Sequence, residues 1–192
     1  WMGDFAAAEQ DLAAFTELAE INALGPYMAA ALGFRGELAI QRGHTGEALV
    51  AVENSLSRLR AARYELLTTP FVIALVRGFI LDARLAEACD LVDATLASCE
   101  SRGERFALPE LIRLKAQVLR LSGAQEQASR ALLDEALALS QQQGAHAWAL
   151  KVATDLRQPT LATGEIDPTR HPDGVEERLV VADDQKRAVE GL

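Results

Sequence analysis

The sequence predicts an all-α fold, a stack of two-helix hairpins, on three observations. Ala (35) and Leu (29) fill one third of the 192 residues while Gly and Pro together number 19, so strong helix formers dominate and chain breakers are few. No window sustains the strict alternation of apolar and polar residues that a half-buried strand needs. Small and apolar residues recur at a step of 40: Ala8, Ala48, Ala88 and Ala128; Gly3, Gly43, Ala83 and Gly123; Leu12, Val52, Val92 and Leu132. Two further columns, Leu32, Val72, Ile112, Val152 and Gly36, Val76, Ala116, Leu156, place a second helix in each period.

Helical periodicity predicts the segments Phe5 to Ile21, Tyr27 to Arg42, Gly46 to Arg60, Thr69 to Leu81, Leu85 to Glu100, Leu108 to Leu121, Glu126 to Gln142 and Ala145 to Leu156. Gly25-Pro26, Gly43 to Gly46, Gly103, Pro109, Ser122-Gly123 and Gly144 separate them, because these residues end helices or tolerate a left-handed turn. Thr68-Thr69-Pro70 reads as an N-cap followed by a first-turn proline, and Thr45 stands where the next helix wants a cap.

One hairpin cannot bury both of its apolar stripes, whereas stacked hairpins share a continuous core. An α-solenoid follows, with Ala48, Ala88, Ala128, Gly36 and Ala116 letting helices approach and Leu32, Val72, Ile112, Phe79 and Leu119 filling between them. The period exceeds the ~34 residues of standard tetratricopeptide repeats, but two helices, a tight glycine turn and a small-residue column favour that packing. The array covers residues 1–157, with a truncated hairpin at each end. Residues 158–192 form an acidic tail containing Pro159, Pro168 and Pro172, partly irregular, with Glu176 to Glu190 as a short strand or helix.

A net charge of -9 repels nucleic-acid phosphates and anionic lipid, so neither is expected as a direct partner. The longest apolar stretch, Phe71 to Leu81, carries Arg77 and falls short of the roughly 20 residues that cross a bilayer. No secretory signal is readable at Trp1 to Asp4. Cys89 and Cys99 lie ten residues apart on one helix, too far for a disulfide, and read as core thiols of a reducing cytoplasm.

No phosphate loop, dinucleotide fingerprint, zinc-protease helix or nucleophile elbow occurs, and no catalytic, cofactor or metal residue is assigned. His44, His146 and His171 read as solvated turn residues; Asp90 with Asp93 and Glu104 with Glu110 read as solvated helix faces. Glu37, Arg77, Gln117 and Arg157 form a column that stays polar among apolar neighbours, and Arg35 and Lys115 form a parallel one. Together with Arg113 these residues are the candidate lining of a concave groove that would read an acidic or carboxylate-bearing segment. An ordinary solvated ridge is the alternative.

Gly103 to Lys115 (GERFALPELIRLK) followed by Gln142 to Thr154 (QQGAHAWALKVAT), with Gly33 to Ala39 and Ala61 to Phe71, resembles a bacterial pattern. It is that of the C-terminal tetratricopeptide-like region of large predicted ATPases, which also carry winged-helix or adenylate/guanylate cyclase domains. Ala116, Ala149 and Asp155 depart from the usual glycine, glutamate and serine. The resemblance implies a non-catalytic sensor or interaction arm of a transcriptional or signalling regulator, whose partner is another protein, its own upstream ATPase domain or a small effector. A free-standing adaptor that binds a peptide in its concave groove is the alternative. The first helix carries Phe5, Leu12, Phe15 and Leu18, so self-association or fraying at that end is also expected.

Overall fold

The computed structural model describes residues 4–123 and 126–157, and among these 82% are helical with no strand. Eight helices follow in order: α1 (Phe5–Ile21), α2 (Gly25–Gln41), α3 (Gly46–Ala61), α4 (Thr68–Leu81), α5 (Leu85–Arg102), α6 (Leu108–Leu121), α7 (Glu126–Gln142) and α8 (His146–Arg157). All eight predicted segments are present, with ends moved by at most two residues. The expectations for the tail 158–192, for His171 and for Gly3 lie outside the described residues.

The chain turns on a twenty-residue metre. Ala23, Gly43, Arg63, Ala83, Gly103, Gly123 and Gly144 all have positive φ, between 51° and 81°, each one or two residues past the end of a helix. In six of these turns the next amide reaches back five residues: Leu24 N–H donates to the Ala19 carbonyl, His44 to Ala39, Tyr64 to Leu59, Arg84 to Phe79, Glu104 to Cys99 and Ala145 to Ser140, at 2.8–2.9 Å. These bonds satisfy carbonyls that the helix end would leave orphaned, and the left-handed residue reverses the chain.

Each helix packs on its successor. In addition α2 packs on α4, α4 on α6 and α6 on α8, while α1, α3, α5 and α7 make no such contacts with one another. The even-numbered helices therefore form the inner row. At its centre lies α4, where ten of fourteen residues are buried, so its sequence shows hardly any polar face. Phe71, Val76, Val52, Leu59, Leu111 and Leu114 belong to one apolar cluster; Ile112, Ala116, Leu133, Ala136 and Val152 form a second one towards α8.

Close approach of α2 to α3 depends on two glycines. A Cβ on Gly36 would stand 2.6 Å from Val52 Cγ2 and 2.8 Å from the Ala48 carbonyl oxygen, and one on Gly33 would meet the Phe71 ring and Ser55 Oγ. The Ser55 hydroxyl in turn donates to the Ala29 carbonyl at 2.6 Å, tying α3 to α2.

The small-residue column needs correction at its ends. Ala48 and Ala88 are buried, but Ala8 and Ala128 are exposed. Ala8 stands on α1, which packs on α2 alone among the described helices. In α7 the buried residues Ser129, Leu133, Ala136 and Ser140 follow Ala88, Val92, Thr95 and Cys99 of α5 by 41, because one extra residue enters between Gly123 and Ser129. The column therefore passes from Ala128 to Ser129, whose hydroxyl donates to the Ala116 carbonyl at 2.9 Å.

Two caps differ as well. Leu67 is the N-cap residue of α4, no side chain caps that end, and Thr68 Oγ1 is buried without a hydrogen-bond partner. Thr45 does hold the N-cap position of α3, yet its hydroxyl donates to Asp82 instead of receiving a backbone amide.

Candidate functional site

The polar column of the inner row is built into the fold. Glu110, on the first turn of α6, has no exposed surface. Arg113, one turn later, donates from Nε to Oε2 at 2.8 Å and from Nη2 to Oε1 at 3.0 Å, and Arg77 of α4 donates to Oε1. The Arg113 Nη1 reaches Asp155 Oδ2 of α8 at 2.7 Å. Two cations and two carboxylates thus clasp α4, α6 and α8 in one charge-balanced chain.

Burial pushes the Glu110 carboxyl up, but the charge and hydrogen bonds of Arg113, and then those of Arg77, overcome it and hold the group at about 2. Burial likewise works against the Arg113 guanidinium, and Glu110 followed by Asp155 holds it firmly protonated. The reading of Glu110 as a solvated acid is thereby overturned. The signal it left in the sequence was only a carboxylate three residues before an arginine, which is common on exposed helices too.

The seven candidate groove residues occupy unlike environments. Arg35 and Arg157 are exposed, and Lys115 and Gln117 are half-buried. The Lys115 ammonium lies 2.7 Å from Asp93 Oδ1 of α5. Glu37 is buried and accepts from Gln41 Nε2 at 3.2 Å. Arg77 and Arg113 keep only 15% and 11% of their side-chain surface, committed to Glu110 and Asp155. The structure brings Arg77 and Arg113 together as helix-to-helix ties, and leaves Arg35 and Arg157 as outward cations on α2 and α8.

A cleft of about 610 Å³, which periodicity did not signal, opens where the α5–α6 turn meets the α7–α8 turn. Its walls include Arg105, Phe106, Leu139, Gln143, His146 and Trp148. The Phe106 and Trp148 rings stand 5.1 Å apart, and Gln143 Nε2 donates to the Arg105 carbonyl at 2.8 Å. Phe106 remains 61% exposed. Two of the four sequence runs that carry the bacterial resemblance, Gly103 to Lys115 and Gln142 to Thr154, meet here.

His44 and His146 are exposed. Among the described residues no cluster of His, Cys, Asp and Glu is placed to hold a metal ion, and no helix is long and apolar enough to cross a membrane. Asp90 and Asp93 are exposed on α5, the latter paired with Lys115. Among the described residues the fold is all-helical, with ion pairs joining α4, α6 and α8 of the inner row. No family model, curated protein or solved structure matches the chain.

Proposed function

We propose that this chain is a non-catalytic interaction module, a tetratricopeptide-like solenoid serving as the sensor or regulatory arm of a bacterial signalling or transcriptional-regulator ATPase. The observation that carries the reading is the twenty-residue metre of left-handed turns together with the inner row α2, α4, α6, α8. Similar turns at a spacing of 20 residues, 21 at the last, stack helices into an extended surface, and such stacks work by contact. The resemblance of the runs around Phe106 and Trp148 to the repeat region of those ATPases supports the cellular role, since both runs line one cleft.

The contact surface best suited to a partner is that cleft. Its ionisable walls, Arg105 and His146, are basic in a chain of net charge -9, and the paired rings offer an apolar floor. An acidic segment bearing one aromatic or aliphatic side chain fits this chemistry. The test is titration of the chain with synthetic acidic peptides that carry a single Phe or Leu, read by Trp148 fluorescence in a Trp1→Phe background. Saturable binding that Phe106→Ala and Arg105→Glu each weaken supports the reading. Turnover of ATP, esters or phosphate esters by the purified chain overturns it. A phosphate loop and winged helix in the same reading frame upstream of Trp1 would support the regulator role over a free-standing adaptor.

A further inference from the structure

We infer that the acidic partner of the Phe106 cleft is an extended segment that runs on across the α3–α4 turn, where Leu66 receives a second apolar side chain. The inference rests on the cleft reading above and gives the partner its residue pattern. Packed successive helices joined by short turns run antiparallel, so the turns leading from odd- to even-numbered helices lie at one end of the stack. Among the described residues these turns are of two kinds. Three residues separate Ile21 from Gly25, and three separate Gln142 from His146. Six separate Ala61 from Thr68, and five separate Arg102 from Leu108.

The two longer turns share one backbone arrangement at an offset of 40 residues. Arg63 and Gly103 N–H donate to the Arg60 and Glu100 carbonyls at 3.0 and 3.1 Å, and Tyr64 and Glu104 to Leu59 and Cys99, both at 2.9 Å. Thr68 and Leu108 N–H donate to the Glu65 and Arg105 carbonyls at 3.0 and 3.3 Å. Leu66 and Phe106 therefore hold the same place in matching turns. Beside them Leu67 packs against the main apolar cluster and Ala107 belongs to it, whereas Leu66 and Phe106 are 76% and 61% exposed. Three residues reverse the chain at the shorter turns, so the added ones are not needed for reversal; each longer turn presents a large apolar side chain outward. The Arg102 guanidinium, pushed up chiefly by its hydrogen bond to Glu104, also feels the Glu65 carboxylate, so the two turns lie side by side.

Spacing and charge select the occupant. Leu66 and Phe106 precede the starts of α4 and α6, which pack on each other, and packed helices stand about 8 to 10 Å apart. A polyproline helix has ~3 residues per turn and rises ~3.1 Å per residue, so its side chains i and i+3 share one face about 9 Å apart. A β-strand would turn the same two side chains to opposite faces. Around Leu66 stand the exposed Arg58, Arg60 and Arg63 against Glu65. Around Phe106 stand Arg102 and Arg105 against Glu100 and Glu104, with Arg102 bonded to Glu104. At the opposite end of the stack Arg42 and Arg84 are committed to Glu9 and Glu87. This edge is thus locally basic in a chain of net charge -9, and it suits an acidic segment with two apolar side chains at i and i+3.

The test is calorimetric titration of the full 192-residue chain with two synthetic peptides of identical composition, each holding one Leu and one Phe among Asp, Glu and Pro. In the first peptide Leu and Phe stand at i and i+3, and in the second they are adjacent. The first should bind about tenfold or more tighter, the worth of burying one further large apolar side chain. Leu66→Ser, at an exposed position, should remove that gain, whereas Leu121→Ser, exposed at the opposite end of the stack, should keep it. Phe106→Ala should weaken both peptides, and exchanging the acidic residues of the first peptide for lysine should abolish its binding. Circular dichroism and a cooperative melt confirm that each variant is folded. Equal affinity for the two peptides, or a gain that survives Leu66→Ser, overturns the inference and leaves the cleft reading standing. Absence of binding by either peptide overturns both.

Discussion

The carboxylate of Glu110 accepts two hydrogen bonds from Arg113, at 2.8 and 3.0 Å, and a further one from Arg77 of α4, with no surface of its own open to solvent. Removing this one negative charge leaves Asp155 as the single carboxylate of the clasp against two arginines. Glu110→Gln keeps the shape and some hydrogen bonds but breaks the charge balance in the interior, so it should destabilise the fold by about 3 to 5 kcal/mol in urea unfolding. Replacing Glu110 and Arg113 together by Leu and Met should cost less than the two single changes combined, since one negative and one positive charge leave together and the remaining Arg77 and Asp155 are of opposite sign.

The same carboxylate makes stability depend on acid. Its folded value of about 2 lies below the ordinary 4.5, so between those limits the unfolded chain binds more protons than the folded one. The contribution of Glu110 is complete above about pH 4.5 and is lost as pH falls towards about 2. Melting temperature measured from pH 6 to pH 2.5 should fall through that window, and Glu110→Gln should flatten the fall.

The helices were legible because apolar side chains at three- and four-residue spacing mark a buried stripe, and because Gly43, Gly103, Gly123 and Gly144 announce the turns by their own conformational freedom. Ala23, Arg63 and Ala83 make the same turn without any such mark. Their conformation is imposed by the packing of the helices on either side. The ion clasp was hidden for another reason: Arg77 lies 33 residues before Glu110 and Asp155 lies 42 residues after Arg113, so only the stacking of α4, α6 and α8 joins them. The shift from Ala128 to Ser129 was hidden by a single extra residue, which moves a whole helix face by about 100°.

Glycines within the helices should respond to alanine in opposite directions. Alanine is the better helix former by about 1 kcal/mol in a helix interior. At Gly46, where an added Cβ meets nothing within 4 Å, Gly46→Ala should stabilise by a few tenths to about 1 kcal/mol. At Gly36 the new methyl would stand 2.8 Å from the Ala48 backbone oxygen, which cannot swing away. Gly36→Ala should therefore destabilise by about 1 to 3 kcal/mol despite its propensity, as measured by chemical denaturation.

Burial pushes the thiols of Cys89 and Cys99 up, and the nearby carboxylates of Asp93 and Glu104, respectively, push further in the same direction. Since the thiolate is the reactive form, both should label slowly with an aromatic disulfide reagent near pH 8. Cys99, fully buried, should react no faster than the chain opens, whereas half-buried Cys89 should react in the native state. Asp93→Asn should accelerate labelling of Cys89 and leave Cys99 unchanged. A Cys99 that labels as fast as a free thiol would contradict the packing of α5 against its neighbours.

The left-handed turns give the sharpest test of the twenty-residue metre. Arg63 at φ 54° and Ala83 at φ 57° hold a conformation in which an L side chain crowds its own backbone, at a cost of roughly 1 to 2 kcal/mol per residue. Glycine relieves that crowding but gains freedom in the unfolded chain, which returns about 0.4 to 1 kcal/mol of the benefit. Arg63→Gly and Ala83→Gly should each stabilise the fold by about 0.5 to 1 kcal/mol, and their sum should be additive because they sit in separate turns. The reverse change, Gly103→Ala at φ 68°, should destabilise by a similar amount although an added Cβ there meets no neighbouring atom. Urea midpoints of the three variants against the parent chain decide the matter. If Arg63→Gly and Ala83→Gly were both neutral or destabilising, those two residues would not hold the left-handed conformation, and the metre would be broken at two of its turns.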